Sequence, residues 1–320
     1  MRFTHFGQNV GHWHLMESNS PSPSLTRGRM LIVSAAVLWS LSGVFKCVLM
    51  HKTPVRLGPE PVDDLAIAFS IAFYRVFFAG LFLLPTLQRR HVSFQPAMLA
   101  MVGCFAAMNI TFILALTGGK AANAIMLQYT APLWIYLAGV FWLGEVPSLR
   151  GWTSVLIGLV GIFVLMMGGR KEADLPVVGL GLASGVFYAG VVVFLRVLRD
   201  AASNWLTVLN HLGAALVVAP VLLVRGWPAL TLAQLAALAL FGVVQMGLPY
   251  LLMARGLRVV SPQEAGVITL LEPLLNPLFA YLVARDTEAP TMYTLLGGAC
   301  ILGALAWRYW PNRKGMTNNK

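Results

Sequence analysis

Ten apolar segments, each roughly 20 residues long, follow one another along almost the whole sequence. A helix of about 20 residues is long enough to cross the hydrocarbon core of a bilayer. Only helices and closed barrels satisfy their backbone polar groups in lipid, and barrel strands are shorter and alternate in polarity. The sequence therefore predicts an all-α integral membrane protein with ten transmembrane helices. We expect these helices near Met30–Met50, Ala66–Leu87, Ala97–Thr117, Ala121–Leu143, Gly151–Gly168, Pro176–Val197, Trp205–Val224, Leu232–Ala254, Glu264–Val283 and Met292–Trp310.

The amino-acid composition agrees with a protein that lies almost entirely in the membrane. Charged residues are 11% of the chain, against roughly 25% in soluble domains. The net charge is +11, but the basic residues are scattered singly or in pairs between apolar segments. A nucleic-acid-binding surface needs such charges clustered on one face, so we expect no nucleic-acid partner. Three cysteines without metal-ligand spacing predict neither disulfides nor a metal site, and no cofactor is expected.

The sequence contains an internal duplication. The stretch from Ala121 to Glu145 resembles the stretch from Ser261 to Asp286, with Pro132 and Pro273 at equivalent positions 141 residues apart. Five helices per half is an odd number, so the second half enters the membrane from the opposite face and the halves form an inverted repeat. The predicted organisation is a disordered cytoplasmic tail at residues 1–29, a first five-helix repeat at 30–169, a second at 176–310 and a cytoplasmic C-terminal tail at 311–320.

The distribution of Lys and Arg predicts the orientation of the helices. More of these residues lie in the links on the side of the N-terminus than in the links on the opposite side. Because cytoplasmic loops carry the excess of positive charge, both termini are expected in the cytoplasm. The link at residues 51–65 is longer than the other outer links, and it either covers the outer mouth or acts as a simple linker.

The ninth segment carries the strongest candidate for a functional residue. Glu272 lies in the middle of this apolar segment, where a carboxylate is costly and is by default a functional hypothesis. Pro273 lacks an N–H, which frees a backbone carbonyl one turn earlier, and Asn276 lies one turn after Glu272 on the same face. This combination predicts a site for a cationic or amine-bearing solute, or a group that exchanges protons. A carboxylate tied to a neighbouring helix is the structural alternative.

The second segment contains Arg75, which must pair, reach the interface or face a water-filled cavity. We expect it either to bind the carboxylate of a zwitterionic or anionic solute or to pair with Glu272. Other polar and aromatic side chains within the predicted spans indicate a polar-lined interior. The further candidates for substrate contact are Trp39, Asn109, Gln128, Tyr129, Tyr188, His211, Gln245 and Tyr250.

Two of these candidates occupy corresponding places in the two halves. Trp39 and Tyr188 each lie in the first helix of a half, which suits opposite walls of one cavity. His211 is the only histidine within a predicted span and is suited to carrying protons. For every candidate, a helix–helix hydrogen bond or an interfacial anchor is the alternative role. Glycines at small-residue spacing, such as Gly158 and Gly161, predict close helix packing within the protein or between two copies.

The stretches LQYTAPLWIYLAGVFWLGE and ITLLEPLLNPLFAYLVARD, together with FYRVFFAG in the second span, resemble the EamA-type branch of the drug/metabolite transporter superfamily. The resemblance covers nearly the whole chain beyond residue 29. The chain departs from the family at ARD, where Gly-Glu is usual, and in the long link after the first span. The resemblance implies a bacterial inner-membrane secondary carrier with a central cavity between the repeats. Such carriers commonly export amino acids or other small metabolites.

We therefore expect a transporter, not an enzyme, that exports a small zwitterion by alternating access, with Glu272 coupling export to protons. An uptake carrier and a passive facilitator are the alternatives within transport. An intramembrane serine hydrolase that uses Ser184 and His211 is a different class, but Ser184 lacks the usual GxSxG context. The expected partners are a small-molecule substrate, protons and the lipid bilayer, and both a monomer and a homodimer fit the sequence.

Overall fold

The computed structural model of the protein describes residues 25–50, 57, 64–142, 144–169, 175–227 and 229–309. The predicted C-terminal tail and most of the N-terminal tail and of the link at residues 51–65 lie outside these residues. The first helix begins at Leu25, inside the segment that the sequence analysis assigned to the tail. Within this helix, Arg29 Nε donates to Glu264 Oε1 over 2.5 Å at the beginning of the ninth span.

The described residues form ten consecutive helical spans and no strand. Nine spans are long and apolar enough to cross a membrane, and the tenth is a shorter apolar helix. This architecture confirms the predicted all-helical membrane fold. The spans are Leu25–Met50, Leu65–Thr86, Pro96–Gly118, Ala121–Phe141, Leu149–Met167, Leu175–Val197, Ser203–Arg225, Leu232–Gly256, Glu264–Val283 and Met292–Arg308.

Three spans are interrupted, and each of them consists of two helices. Pro132 and Pro273 explain the breaks in the fourth and ninth spans, because proline lacks the N–H that would bond to the carbonyl four residues earlier. These two breaks fall at equivalent positions of the duplication. The helix pairs are Leu25–Trp39 and Ser42–Met50 in the first span, Ala121–Gln128 and Ala131–Phe141 in the fourth, and Pro262–Thr269 and Leu271–Val283 in the ninth.

The eighth span changes its winding at its centre. A π-helical segment, Phe241–Gly247, lies between the α-helices Leu232–Leu240 and Leu248–Gly256. Such segments are rare and often occur at functional sites. Here the segment packs against the second span, since a Cβ on Gly242 would lie 2.6 Å from the carbonyl oxygen of Arg75. The looser winding therefore brings the eighth span next to the buried arginine.

The packing of the spans follows the duplication. The second span packs along the seventh, and the fifth packs along the tenth. The third span packs along the sixth, and their equivalents, the eighth and the first, pack in the same way. Likewise the fourth span contacts the sixth, and the equivalent ninth contacts the first. Exchanging every span with its equivalent in the other half leaves this set of contacts unchanged. With five spans per half, such an arrangement is an inverted repeat.

Glycines allow several of these spans to approach closely. A Cβ on Gly161 would lie 2.7 Å from the carbonyl oxygen of Gly297, where the fifth and tenth spans meet. A Cβ on Gly185 would lie 2.6 Å from Thr130 Oγ1, where the sixth span meets the break of the fourth. No larger residue fits at either contact without a shift of its neighbours. These glycines serve helix packing within the chain.

Replacing Gly161 with alanine should lower the free energy of unfolding by about 1–3 kcal/mol, because the added methyl group overpacks the contact between the fifth and tenth spans. Gly103 is the matched control, since a Cβ on this helical glycine would meet no atom within 4 Å. Gly103→Ala should keep or raise stability, because alanine favours a helix over glycine. Thermal unfolding of both variants in detergent checks the prediction, and equal melting temperatures would contradict it.

Candidate functional site

Arg75 is buried among the second, third and eighth spans, with 2% of its surface exposed. Its Nη2 donates to Asn109 Oδ1 over 2.6 Å, and Asn109 Nδ2 donates to the carbonyl oxygen of Ala72 over 2.8 Å. The guanidinium also lies 5.4 Å from the centroid of the Phe112 ring and 5.5 Å from that of Phe241. Its Nε has no hydrogen-bond partner among the described residues. The asparagine and the two rings therefore hold the side chain and leave one donor free.

Glu272 lies at the break of the ninth span and contacts the break of the fourth. Its Oε2 is 2.7 Å from the hydroxyl oxygen of Tyr129, which is also 2.9 Å from the carbonyl oxygen of Thr269. Thr269 lies four residues before Pro273, so its carbonyl is the one that the proline leaves without a helical donor. The sequence predicts a freed carbonyl here, and the structure shows that a tyrosine from the other repeat supplies its donor.

Arg75 and Glu272 lie near enough to interact electrostatically, and Tyr250 is within this range of both. They do not pair with each other, because no ion pair within the described part of the chain includes either side chain. Direct pairing, one of the two roles expected for Arg75, is therefore absent, and the physical reason is that Asn109 holds the guanidinium. A guanidinium and a carboxyl group therefore remain separate in one interior.

Aromatic and polar side chains of the first, seventh and eighth spans form a second part of the site. The rings of Trp39 and Tyr250 meet edge to face at 5.5 Å, and those of Tyr250 and His211 do so at 5.1 Å. His211 Nδ1 lies 2.7 Å from the carbonyl oxygen of Thr207, so Nδ1 donates and Nε2 is left as an acceptor in the neutral ring. Gln245, in the π-helical segment, donates from Nε2 to the carbonyl oxygen of Trp39 over 3.0 Å.

Several buried polar atoms of the site lack a partner in the described residues. Gln245 Oε1 and His211 Nε2 are acceptors without a donor, and Arg75 Nε is a donor without an acceptor. The three side chains are 3%, 0% and 2% exposed, respectively. Buried polar atoms are nearly always hydrogen-bonded, so such atoms mark places where a ligand or water binds. The site thus offers one free donor beside an arginine charge and several free acceptors.

The remaining candidates lie around this centre. Asn276 is fully buried between the ninth and first spans, where its Nδ2 donates to Ser42 Oγ over 2.5 Å. Gln128, just before the break of the fourth span, is partly buried. Tyr188, on the sixth span, is 41% exposed and lies within electrostatic range of Tyr129. The structure therefore places Asn276 in a helix–helix contact and the other two at the edge of the site.

Sequence reasoning missed a buried ion pair, which joins Lys46 to Glu288. Lys46 Nζ donates to the carboxylate and, over 3.0 Å, to the carbonyl oxygen of Gly119, while Glu288 Oε2 accepts from the backbone N–H of Ala121 over 2.8 Å. The available signal was the departure from the family pattern at Ala284–Asp286, where Gly-Glu is usual. The chain continues with Thr287 and Glu288, so a glutamate does follow two residues later. A shift of two residues aligns Glu288, instead of Asp286, with Glu145.

The geometry does not support the serine–histidine alternative. Ser184 is fully buried and its Oγ donates to the carbonyl oxygen of Gly181 over 2.7 Å, within its own helix. His211 Nε2, the nitrogen that such a nucleophile would need, has no partner among the described residues. The hydroxyl and the imidazole therefore do not form a dyad.

The chain resembles known transporters over most of its length. An uncharacterized transporter of Archaeoglobus fulgidus is 30% identical over 269 residues, which cover 83% of this chain and 94% of the relative. An S-adenosylmethionine uptake transporter of Rickettsia prowazekii is 21% identical over 256 residues, or 78% of this chain and 86% of the relative. One solved crystal structure, 18% identical in sequence, shares the fold with a TM-score of 0.59 and covers 89% of this chain and 98% of its own.

The sequence profile of the EamA-like transporter family matches this chain twice, at residues 26–167 and 175–309. The two matches coincide with the two halves that pack as an inverted repeat. They include the three interrupted spans and the interior that holds Arg75 and Glu272. The chain therefore belongs to the EamA-like transporter family of multi-pass membrane proteins.

Proposed function

We propose that this transporter exports a small zwitterionic metabolite, an amino acid or a related compound, by proton-coupled alternating access. The membrane is a bacterial inner membrane, with both termini in the cytoplasm. One observation carries the proposal: Arg75 and Glu272 share an interior, lie within electrostatic range and do not pair. A buried charge without a partner is costly, so a solute that brings a carboxylate and an ammonium group compensates both.

The arginine side of the site suits the carboxylate. Asn109 and the rings of Phe112 and Phe241 hold the guanidinium in place, and Nε is the donor left free. A guanidinium that is already oriented loses little conformational entropy when it binds an anion. This side of the site therefore favours solutes with a carboxylate over solutes with an alcohol or an amide.

Other side chains of the same interior suit an ammonium group. Gln245 Oε1 and His211 Nε2 are free acceptors, and the Glu272 carboxylate supplies the charge. Trp39 and Tyr250 add ring faces, which attract cations. An amine with its N–H donors can therefore be bonded from several directions.

Proton coupling is supported by the bonds of the Tyr129 hydroxyl. This group carries one proton but lies within hydrogen-bond distance of both Thr269 and Glu272. A protonated Glu272 can donate to the hydroxyl oxygen while Tyr129 donates to the Thr269 carbonyl. An ionised Glu272 has no proton to donate and instead accepts the hydrogen bond of the Tyr129 hydroxyl, so the Thr269 carbonyl loses its donor. A proton on Glu272 thus changes a bond that joins the two repeats.

Uptake is the second candidate, because one relative is named an uptake transporter for S-adenosylmethionine. That compound contains an amino-acid group, so the site chemistry proposed here fits both directions of transport. Export is proposed because the resemblance to EamA-type carriers implies it. A passive facilitator would use the same site but would not accumulate its solute against a gradient.

Metabolite profiling of the culture medium tests export. Cells that overproduce the protein should accumulate one small zwitterion outside, and cells with Glu272→Gln should not. Glu264→Gln is the matched control, since Glu264 lies in the same span but is partly exposed at its end, where it pairs with Arg29. This control should export normally. Depletion of a solute from the medium by the wild type would reject export in favour of uptake.

Once the solute is known, reconstituted vesicles test proton coupling. An imposed pH gradient should drive transport by the wild type. Transport by Glu272→Gln should not respond to the gradient, because an amide side chain neither gains nor loses a proton near neutral pH. Solute exchange without a gradient should persist in the variant, which shows that the site still binds. Full dependence on the gradient in Glu272→Gln would contradict a coupling role for this residue.

Arg75→Lys should raise the KM for the solute about tenfold or more, since a hydrogen bond to a charged group contributes about 1.5–3 kcal/mol and lysine does not reproduce the guanidinium geometry. The same variant should discriminate less between the solute and its carboxamide analogue. Arg90→Lys, in an exposed link, is the control and should leave KM unchanged. An unchanged ratio of carboxylate to carboxamide transport in Arg75→Lys would show that Arg75 does not contact the carboxylate.

A further inference from the structure

Three ion pairs join the repeats within the described residues, and two of them occupy corresponding places in the duplication, one at each end of the spans. Lys46, at the end of the first span, pairs with Glu288, which follows the ninth. Arg196, at the end of the sixth span, pairs with Glu145, which follows the fourth, over 3.0 Å. The first and sixth spans are equivalent in the duplication, and so are the ninth and fourth, so the two ion pairs occupy corresponding places in the two repeats. Because equivalent spans of an inverted repeat run in opposite directions, the pairs lie on opposite faces.

The two pairs differ in their exposure to solvent. The side chains of Lys46 and Glu288 are 8% and 1% exposed, whereas those of Arg196 and Glu145 are 49% and 50% exposed. Lys46 and Glu288 also bond to the backbone between the third and fourth spans, as described above. Three segments of the chain therefore converge on the buried pair and seal one face. The exposed pair is bonded through water-accessible atoms, and such pairs contribute little to stability.

We propose that these two ion pairs are latches of the transport pathway. Lys46 and Glu288 close one face, Arg196 and Glu145 close the opposite face, and both pairs are formed in the structure. The proposal rests on the alternating access put forward above, in which each face opens in turn. Each latch joins one repeat to the other, so each must break when the repeats move apart at its face.

Opposite charges suit a latch that has to open and close repeatedly. Closing the face removes both charges from water, and their mutual attraction offsets this cost. Opening the face breaks the pair but hydrates both charges again. A neutral pair would gain nothing from water on opening, and a single charge would resist closing. Removing one charged partner should therefore favour the open state of this face, whereas removing both should favour the closed state.

Cys47 provides a reporter next to the buried latch. It is a free cysteine, 1% exposed, and lies within electrostatic range of Lys46 and Glu288. Replacing Cys104 and Cys300 with serine leaves it as the single thiol of the chain. A membrane-impermeant maleimide, added to right-side-out or inverted vesicles, then measures access to this latch from each face.

Two marker variants in which Cys47 is also replaced identify the faces. Ala229→Cys lies in the exposed link between the seventh and eighth spans, on the same face as Lys46. Val146→Cys, at a position that is 90% exposed between the fourth and fifth spans, lies on the opposite face. Each marker should react in only one vesicle orientation, which also reveals the orientation of the protein.

Lys46→Met leaves Glu288 without its partner and should favour the open face, so Cys47 should react about tenfold faster or more, and only in the vesicles in which Ala229→Cys reacts. Lys46→Met combined with Glu288→Gln buries no charge and keeps an acceptor for the Ala121 N–H. In this double variant Cys47 should react more slowly than in the wild type, solute transport should fall, and the melting temperature should equal or exceed that of the wild type.

A purely structural role for the pair gives different results. Lys46→Met would then lower the melting temperature without changing the reactivity of Cys47, and the double variant would transport the solute like the wild type. Either of these results would overturn the proposal that Lys46 and Glu288 act as a latch. The labelling needs no solute, so its outcome is separate from that of the export test. If labelling responds as expected but the wild type exports no solute, the proposed export fails, whereas the opening of this face at the ion pair stands.

Discussion

A backbone carbonyl that loses its helical donor inside a membrane finds no water to replace it. Pro273 removes the helical donor of the Thr269 carbonyl in the middle of the ninth span. The hydroxyl of Tyr129, from the other repeat, donates to this carbonyl instead. The break thereby joins the two repeats at their centre. Glu272 shares the same hydroxyl, so its carboxylate is tied to a constraint that the backbone imposes. The proposed proton response of the transporter depends on this contact.

The two repeats share a backbone arrangement but not a chemistry. Position 131 of the first repeat, equivalent to Glu272, is Ala131, and Ile135 stands where the second repeat has Asn276. Along their length the fourth and sixth spans meet through glycines, with an ion pair at one end, whereas the ninth span and the residues after it bond to the first span through polar side chains at several levels. A single asymmetric site between symmetric halves follows from this difference. In the proposed transport cycle, the symmetry lets the halves rock about the site, while the asymmetry lets the site bind one solute.

Much of the fold was predictable because it depends on local properties of the chain. Apolar length predicts the spans, and the recurrence of proline at a constant spacing predicts the duplication and two of the three breaks. The interruption near Ser40 has no such signal, since no proline lies there and the serine hydroxyl bonds to the carbonyl of Ala36 in its own helix. The π-helical segment of the eighth span is equally invisible in the sequence, and its close contact through Gly242 with the second span is seen only in the structure.

The sequence by itself determined that this is a ten-span membrane protein and that Arg75 and Glu272 lie within its spans, because charge and hydrophobicity are read residue by residue. Which groups meet was decided only by the tertiary structure. The partner of Glu272 is 143 residues away, and a small rotation of either helix would aim the side chains elsewhere. Lys46 and Glu288 show the limit most clearly. In the sequence they are charges at the ends of apolar segments, and only the convergence of three segments removes both from water.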